Sequence, residues 1–259
     1  MTRHHEAEAQ LQRRYYRDIA EDYERDHVGI DDEHRKSLDY TSFFIDWLGA
    51  KTVLDVGMGT GRGARHFKQR NPDVRIVGLD PVEDLVRISR REGLDAGEAV
   101  TGSGYQLPFA DNSFDVVFEL GCLHHVRHPD RVVAEMLRVA RKGVFMSDSN
   151  RFGGGRPFSR YTKLALYRLG LWGIADRIKT GGRGYLYDDG DGVYYSYSLF
   201  DSYEPVRAWA DDAFFIPIDN NAPARRFGTW LTPLLTSHRL LLCAFRREGP
   251  GGSSGSGGE

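Results

Sequence analysis

The sequence predicts an α/β fold built on a mostly parallel sheet, and three observations predict it. The apolar run Val53-Leu54-Asp55-Val56 enters the turn Gly57-Met58-Gly59-Thr60-Gly61, and a helix start follows. A second apolar run, Val74 to Leu79, ends in Asp80-Pro81, ahead of a helix with one apolar side (Val86, Ile88). A third, Phe114-Asp115-Val116-Val117 onward, is followed by a helix over Arg131–Ala140 and by a further strand, Val144-Phe145-Met146. Strands that alternate with helices in this way lie parallel and are buried on both faces.

The first strand carries the chemistry. Glycines let the backbone turn sharply and approach a ligand where a Cβ would clash, and the next helix begins with unpaired N–H groups. Asp55 is the unusual residue, a carboxylate inside an apolar strand, costly to bury unless it meets a donor or a cation. A pyrophosphate would not tolerate it; a ligand with an amino group and ribose hydroxyls would. Gly59-Thr60-Gly61-Arg62-Gly63-Ala64 also matches the dinucleotide fingerprint G-x-G-x-x-A. A phosphate-binding P-loop is excluded, because no Lys-Ser or Lys-Thr follows the glycines.

Asp80 supports a nucleoside in either design. An acid at the end of the second strand, about 20 residues beyond the glycine loop, accepts from ribose hydroxyls. Its alternative role is a helix N-cap, with Pro81 at the helix entry.

A third segment separates the designs. Leu107-Pro108-Phe109, a polar turn, Phe114-Asp115-Val116-Val117 and then Leu123-His124-His125-Val126 follow in order. With Asp55-Val56-Gly57-Met58-Gly59-Thr60-Gly61, this resembles the class I S-adenosylmethionine-dependent methyltransferases of small-molecule type ("methyltransferase type 11"-like) over about residues 50–150. The resemblance implies a Rossmann-like, mostly parallel seven-stranded sheet closed by a C-terminal antiparallel edge hairpin. It implies S-adenosyl-L-methionine as cofactor and a small-molecule acceptor, with oxygen mildly preferred as the methylated atom. The alternatives are an NAD-dependent oxidoreductase, which leaves the third segment unexplained, and a non-catalytic S-adenosylmethionine-binding protein.

Composition agrees with an enzyme of ordinary globular type. The chain has 259 residues, enough for one sizeable core, and a hydrophobic fraction of 40%. Net charge is −2 with acids and bases balanced, so no nucleic-acid partner is expected. Cys122 and Cys243 make no disulfide framework. No run approaches the roughly 18–20 apolar residues of a membrane span, and the charged N-terminus has no apolar signal core. The expectation is a cytoplasmic protein without a membrane partner, monomeric or homodimeric.

Five parts are expected along the chain. Residues 1–48 form an N-terminal helical lid, in which Tyr15-Tyr16-Arg17-Asp18-Ile19-Ala20-Glu21-Asp22-Tyr23 resembles the family's helix ahead of the glycine loop; its aromatics alternatively pack on the sheet. Residues 49–150 bind the nucleoside. Residues 151–200 are an aromatic-rich cap insertion with a helix over Tyr161–Ile178 and a hairpin from Tyr185 to Tyr197 around a Gly-Asp-Gly turn. Residues 201–247 supply a helix (Tyr203–Ala210) and two closing strands (Phe214–Ile218 and Leu240–Phe245). Residues 248–259 are a flexible Gly/Ser tail.

In open α/β sheets the ligand sits outside the carboxyl ends of the strands, so candidates are sought there. Cofactor contacts are expected from Asp55, acting near the methionine amino end, with Gly57, Gly59, Gly61, Asp80, Pro81, Ser103, Gly104, Leu107, Glu119, Tyr16 and Tyr23. Ser103 departs from the family, which has an acid there for the adenine amino group; Leu107 and Tyr105 are expected to cover the adenine face. Glu119 is assigned near the methionine portion or the methyl, or alternatively as a solvated strand-end carboxylate. His124 or His125 is the candidate general base, the other packing or capping where the fourth strand meets the next helix. His128 nearby raises the question of a metal, but no carboxylate or cysteine completes a recognised spacing, so none is expected. Asp148, Asn150, Tyr194, Tyr195 and Tyr197 are assigned to the acceptor pocket.

Overall fold

A computed structural model describes residues 3–21, 33–153, 155–218 and 233–247. Seven strands form one sheet: β1 (Thr52–Val56), β2 (Arg75–Asp80), β3 (Ala99–Thr101), β4 (Phe114–Leu120), β5 (Ala140–Ser149), β8 (Asp212–Ile218) and β9 (Arg239–Phe245). Their spatial order is β3-β2-β1-β4-β5-β9-β8. All pairings from β3 to β5 are parallel, and β9 runs antiparallel to both of its neighbours. The order reverses between β1 and β4, the switch point at which such sheets open a crevice for a ligand.

Alternation along the strands builds two cores. Leu54, Val56, Val77, Val117 and Met146 face one side. There they pack on α5 (Pro129–Val139), through Val132, Val133 and Met136, and on α8 (Tyr203–Trp209), through Val206. Val53, Ile76, Val116, Phe118 and Phe145 face the other side. They meet α2 (Glu33–Trp47), α3 (Arg62–Arg70) and α4 (Glu83–Arg91) through Leu38, Ile45, Phe67 and Val86. Successive strand residues point to opposite faces, and helices cover both. The predicted mostly parallel seven-stranded sheet is therefore present.

Three elements differ from the sequence reading, whereas the closing pair is the expected antiparallel one at the sheet's edge: β9 enters between β5 and β8, and β8 is the outermost strand. The reason lies in Leu240-Leu241-Leu242-Cys243-Ala244-Phe245, every residue of which is buried, as a central strand requires. The expected helix over Tyr161–Ile178 is two, α6 (Pro157–Arg168) and α7 (Trp172–Lys179). Gly170 takes φ +70° and the Leu171 N–H closes back on the Leu166 carbonyl at 2.8 Å, a glycine-terminated helix end. In the cap hairpin, β6 (Leu186–Asp188) pairs with β7 (Gly192–Tyr194), so Tyr195 and Tyr197 fall beyond the strand. Finally, the described part of the 1–48 segment is two helices with different tasks: α1 (Arg3–Ile19) reaches the β6–β7 hairpin, and α2 packs into the core through Leu38 and Ile45 while its first turn faces the glycine loop.

The position of β9 has a measurable consequence. Leu241 is fully buried against the α2 side of the sheet. Leu241→Ala is expected to lower unfolding free energy by about 2–5 kcal/mol in chemical denaturation. A cost of a few tenths would mean that β9 is not a central strand.

Candidate active site

The carboxyl ends of β1 and β2 are tied together. The N–H groups of Gly57 and Met58 both donate to the Leu79 carbonyl, at 2.8 and 3.1 Å. Gly57 has φ +76°, and a Cβ there would lie 2.7 Å from the Cys122 side chain, so the residue is glycine on both counts. Asp80 completes the tie. One of its oxygens accepts from the Gly59 N–H at 3.0 Å and the other from the Val82 N–H at 2.8 Å. Asp80 is not the helix N-cap, which is Val82; its carboxylate closes a turn ahead of α4 and holds the glycine loop, and each oxygen keeps a lone pair for a further donor.

Asp55 is 3% exposed and accepts from the Ala64 N–H in the first turn of α3. A Cβ on Gly63 would lie 2.7 Å from its carboxylate, which explains that glycine as well. Asp55 therefore holds the start of α3 against the loop. Burial, and then the charge of Asp80, push its carboxyl up to about 8. Burial pushes Asp80 up to about 6, although its two N–H donors oppose the shift. Pro81 and Ser103 are exposed, and Ser103 Oγ accepts from the Tyr105 N–H. Leu107 is corrected: it is 3% exposed and belongs to the core beneath α5, so it does not cover an adenine. Tyr105 is half-buried, its hydroxyl accepting from the His128 N–H.

At the ends of β4 and β5 stand Glu119 and Asp148, both fully buried. A solvated Glu119 is thereby excluded. One oxygen of Glu119 accepts from the Cys122 N–H at 3.0 Å; Oε1 has no partner among the described residues. Burial, and then the charge of Asp148, push this carboxyl up to about 8. Asp148 goes the other way: burial opposes its ionisation, but the charge and hydrogen bond of His124 hold it well below the usual carboxylate range. The same surroundings raise the Cys122 thiol, by burial first and then by Glu119 and Asp148, so it is no nucleophile near neutral pH.

His124 and His125 follow directly. His124 Nδ1 is 2.8 Å from Asp148 Oδ1, and its Nε2 is 3.6 Å from Asp191 Oδ2. Burial alone would lower its pKa; the charge and hydrogen bond of Asp148, and then Asp191, overcome this and raise it to about 10. His124 is thus an imidazolium at neutral pH, which donates a proton and does not accept one. His125 has a different task. Its Nδ1 is 2.8 Å from the Val193 carbonyl and its Nε2 is 2.9 Å from the Tyr16 hydroxyl. The carbonyl fixes Nδ1 as a donor, while Nε2 lies between the Tyr16 hydroxyl and Asp191 Oδ1, 3.4 Å away. The His125 ring thereby joins α1 and β7 to the end of β4.

The acceptor-pocket assignments change most. Asp148 is spent on His124 and on the backbone N–H groups of His124 and Ser149. Asn150 is buried, donating to the carbonyls of Leu234 and Ser237 and accepting from the Phe152 N–H. Tyr197 is in the core, bonded to Ser202 Oγ at 2.7 Å. These three fasten the fold and do not line a pocket. Tyr195 donates to Glu8 of α1; Tyr194 is half-buried at the end of β7. Tyr23 lies outside the described residues.

The sequence reading missed Asp191 and Gln12. Asp191 is in the Gly-Asp-Gly turn, read only as a turn, and no local signal aims its carboxylate at two histidines about 66 positions earlier. Gln12 Oε1 accepts from the Val193 N–H and its Nε2 donates to the Asp191 carbonyl. The glycine loop also faces His34 and Leu38 of α2 across a narrow pocket. His124, His125 and Asp191 bring three potential metal-ligand atoms within 4.8 Å of one another. That supplies the carboxylate the spacing lacked, while both nitrogens of His124 are already turned to carboxylates, Asp148 and Asp191.

The strand order, the glycine loop after β1 and the acid after β2 define a class I, Rossmann-like methyltransferase fold. Residues 54–147 match the family described as methyltransferase domain, and the chain carries a domain of the class I S-adenosylmethionine-dependent methyltransferases. Among its relatives is demethylmenaquinone methyltransferase of Renibacterium salmoninarum, 32% identical over 174 residues, 64% of this chain and 65% of that protein. Another is a ubiquinone/menaquinone biosynthesis C-methyltransferase of Dinoroseobacter shibae, 41% identical over 108 residues, 38% of this chain and 43% of that protein. The chain thus spans less than two thirds of either relative. A similar fold is that of Burkholderia thailandensis 1,6-didemethyltoxoflavin-N1-methyltransferase, solved with S-adenosylhomocysteine bound. It has a TM-score of 0.57 at 19% identity, over 96% of this chain and 92% of that one. The dinucleotide reading of Gly59–Ala64 falls with these matches. No helix among the described residues is long and apolar enough to cross a membrane.

Ribose hydroxyls donating to Asp80 would favour its ionised form, so binding near pH 6 is expected to release protons. Calorimetry of S-adenosylhomocysteine binding in buffers of different ionisation enthalpy measures this. Asp80→Asn should remove the part of the release centred near pH 6, and a release that is the same in the variant would remove the ribose from Asp80.

Proposed function

We propose that this chain transfers a methyl group from S-adenosylmethionine to a small molecule with an ionisable hydroxyl, bound where His124 faces Asp191. The observation that carries the reading is the unpartnered oxygen of Glu119, buried at the end of β4 beside the glycine loop. A buried polar atom without a partner is costly, and the methionine amino group of the cofactor is a donor suited to it. Asp80 has lone pairs for ribose hydroxyls, and Gly57, Gly59 and Asp55 line the pocket at the glycine loop. The residues present therefore fit the cofactor.

When bound, S-adenosylmethionine supplies a methyl group already activated on a sulfonium. The protein's share is position, charge and exclusion of water. Glu119 and Asp80 hold the two ends of the nucleoside. His124, clamped as a cation by Asp148 and Asp191, donates to the acceptor oxygen and stabilises its anion. Such an oxyanion is nucleophilic at oxygen and, in an enol or phenol, at the neighbouring carbon. The expectation of oxygen finds no support among the relatives' names, one of which is a C-methyltransferase; a phenol or enol methylated at carbon fits the charged His124 equally well. Helix α1 and the β6–β7 hairpin, joined through Gln12, Tyr16 and His125, cover the mouth.

Two measurements test the reading. Glu119→Gln should weaken S-adenosylmethionine binding roughly 10- to 100-fold, the worth of a hydrogen bond to a charged group; unchanged affinity by calorimetry would sink the Glu119 assignment. Turnover of a panel of phenols, quinols and enols with radiolabelled methyl donor should require the His124 cation. Activity is then retained through neutral pH and lost as pH rises toward about 10. In Asp191→Asn, which removes one of the two acids raising that pKa, the alkaline limb should move to lower pH. A limb that stays in place would take His124 out of the reaction.

A further inference from the structure

The hairpin of helices α6 and α7 is turned inside out. A helix on a globular protein faces its apolar stripe to the core. Here Phe158, Tyr161, Leu169, Leu171, Ile174 and Ile178 are all exposed, Phe158 by 85% and Ile178 by 77%. Their spacing is helical: 158, 161 and 169 lie along α6 and its cap, and 171, 174 and 178 along α7 and its cap. Each helix thus presents a stripe to solvent. The opposite side of the hairpin is the one that is anchored. The Arg151 guanidinium is held between Tyr167 and Trp172, 5.2 and 4.5 Å from the ring centroids, and pairs with Asp201.

The charge around these stripes is one-sided. Residues 155–184 contain seven Lys and Arg and one acid, Asp176, a net +6 in a chain of net −2. Arg168, Arg177, Lys179 and Arg183 are exposed. Burial, then Lys179 and Arg160, hold the Lys163 ammonium below the usual lysine range, and it donates to the Arg151 carbonyl. Along α7 lies a groove of about 460 Å³ lined by Gly170, Gly173, Ile174, Arg177, Ile178 and Gly182.

We propose that the outward face of the α6–α7 hairpin docks on the surface of an anionic lipid bilayer. Apolar side chains enter the boundary between headgroups and acyl chains, and the surrounding cations meet the headgroup charge. A second copy of this chain is the poorer occupant, because it would bring the same net +6 against itself. The absence of a membrane-spanning run does not oppose this, since a surface-docked hairpin needs none. Docking has a bearing on the site, because the hairpin leads into β6–β7, whose Asp191 and Val193 contact His124 and His125.

Flotation of the purified full chain with vesicles tests this. Phosphatidylcholine vesicles containing phosphatidylglycerol should carry the protein upward, and phosphatidylcholine alone, or added salt, should not. Phe158→Ser with Ile178→Ser, and separately Arg177→Glu with Lys179→Glu, should each weaken binding about tenfold or more. Both variants should keep the circular dichroism and the S-adenosylhomocysteine affinity of the parent, which separates failure of docking from failure of the methyl-transfer reading. A parent chain that stays with the unbound fraction at low salt, or variants that float as well as it does, would overturn the proposal. A dimer in sedimentation velocity that the apolar variant dissociates, without vesicle binding, would make the face a contact between copies.

Discussion

Four carboxylates are buried at the carboxyl ends of four strands: Asp55 on β1, Asp80 on β2, Glu119 on β4 and Asp148 on β5. The local structure is arranged around the cost of taking them out of water. Asp55 is offset by an N–H at the start of α3, Asp80 by two N–H groups of the loops on either side, and Asp148 by the His124 imidazolium. Each solution also builds something. The first sets α3 on the loop, the second locks β2 to the glycine turn, and the third aims a cation at the mouth of the site. Glu119 alone keeps an oxygen without a partner among the described residues, and there a ligand has most to offer.

The four groups also drive one another's protonation. Asp55 and Asp80 repel, as do Glu119 and Asp148, and in each pair one acid is pushed to about 8. Burial first, and then these neighbours, favour the neutral carboxyl of Asp55 and of Glu119, and a nearby cation would act in the opposite direction.

What could be read from the sequence was local. The glycine loop, the strand-end acids Asp55 and Asp80 and the histidine pair are each signalled by neighbours within a few residues, and all sit at strand ends as read. The errors arose where the determinant is distant. Leu107 resembles an adenine cover until the α5 side chains are seen to bury it. Asn150 resembles a pocket residue until the Leu234 and Ser237 carbonyls reach it from more than 80 positions away. Asp191 could not be found at all, since a Gly-Asp-Gly turn encodes a hairpin whichever way its carboxylate points. The break at Gly170 was legible in principle: a glycine at the end of one stripe and the start of another is a stop signal.

The clasp over the site is weaker than the sheet beneath it, and that difference bears on access. Helix α1 reaches the site through Gln12 to β7, Tyr16 to His125, and Glu8 to Arg127 and Tyr195. Its apolar seat is small: Tyr16 and Ala20 on Val82, Leu85 and Ile88 of α4. Polar bonds of this kind are worth about 0.5–1.5 kcal/mol each net of water. Lifting α1 therefore costs a few kcal/mol, well below the cost of opening a sheet whose central strands are fully buried. Tyr16 links both halves of the site, since it packs on Val82, Leu85 and Ile88, next to the turn that Asp80 closes, and its hydroxyl is hydrogen-bonded to His125. A ligand that orders the loop around Asp80 steadies the seat of α1, and α1 in turn fixes His125 and the hairpin that brings Asp191 to His124. The hairpin thereby adds to the charge on His124, supplying a second carboxylate beside that of Asp148.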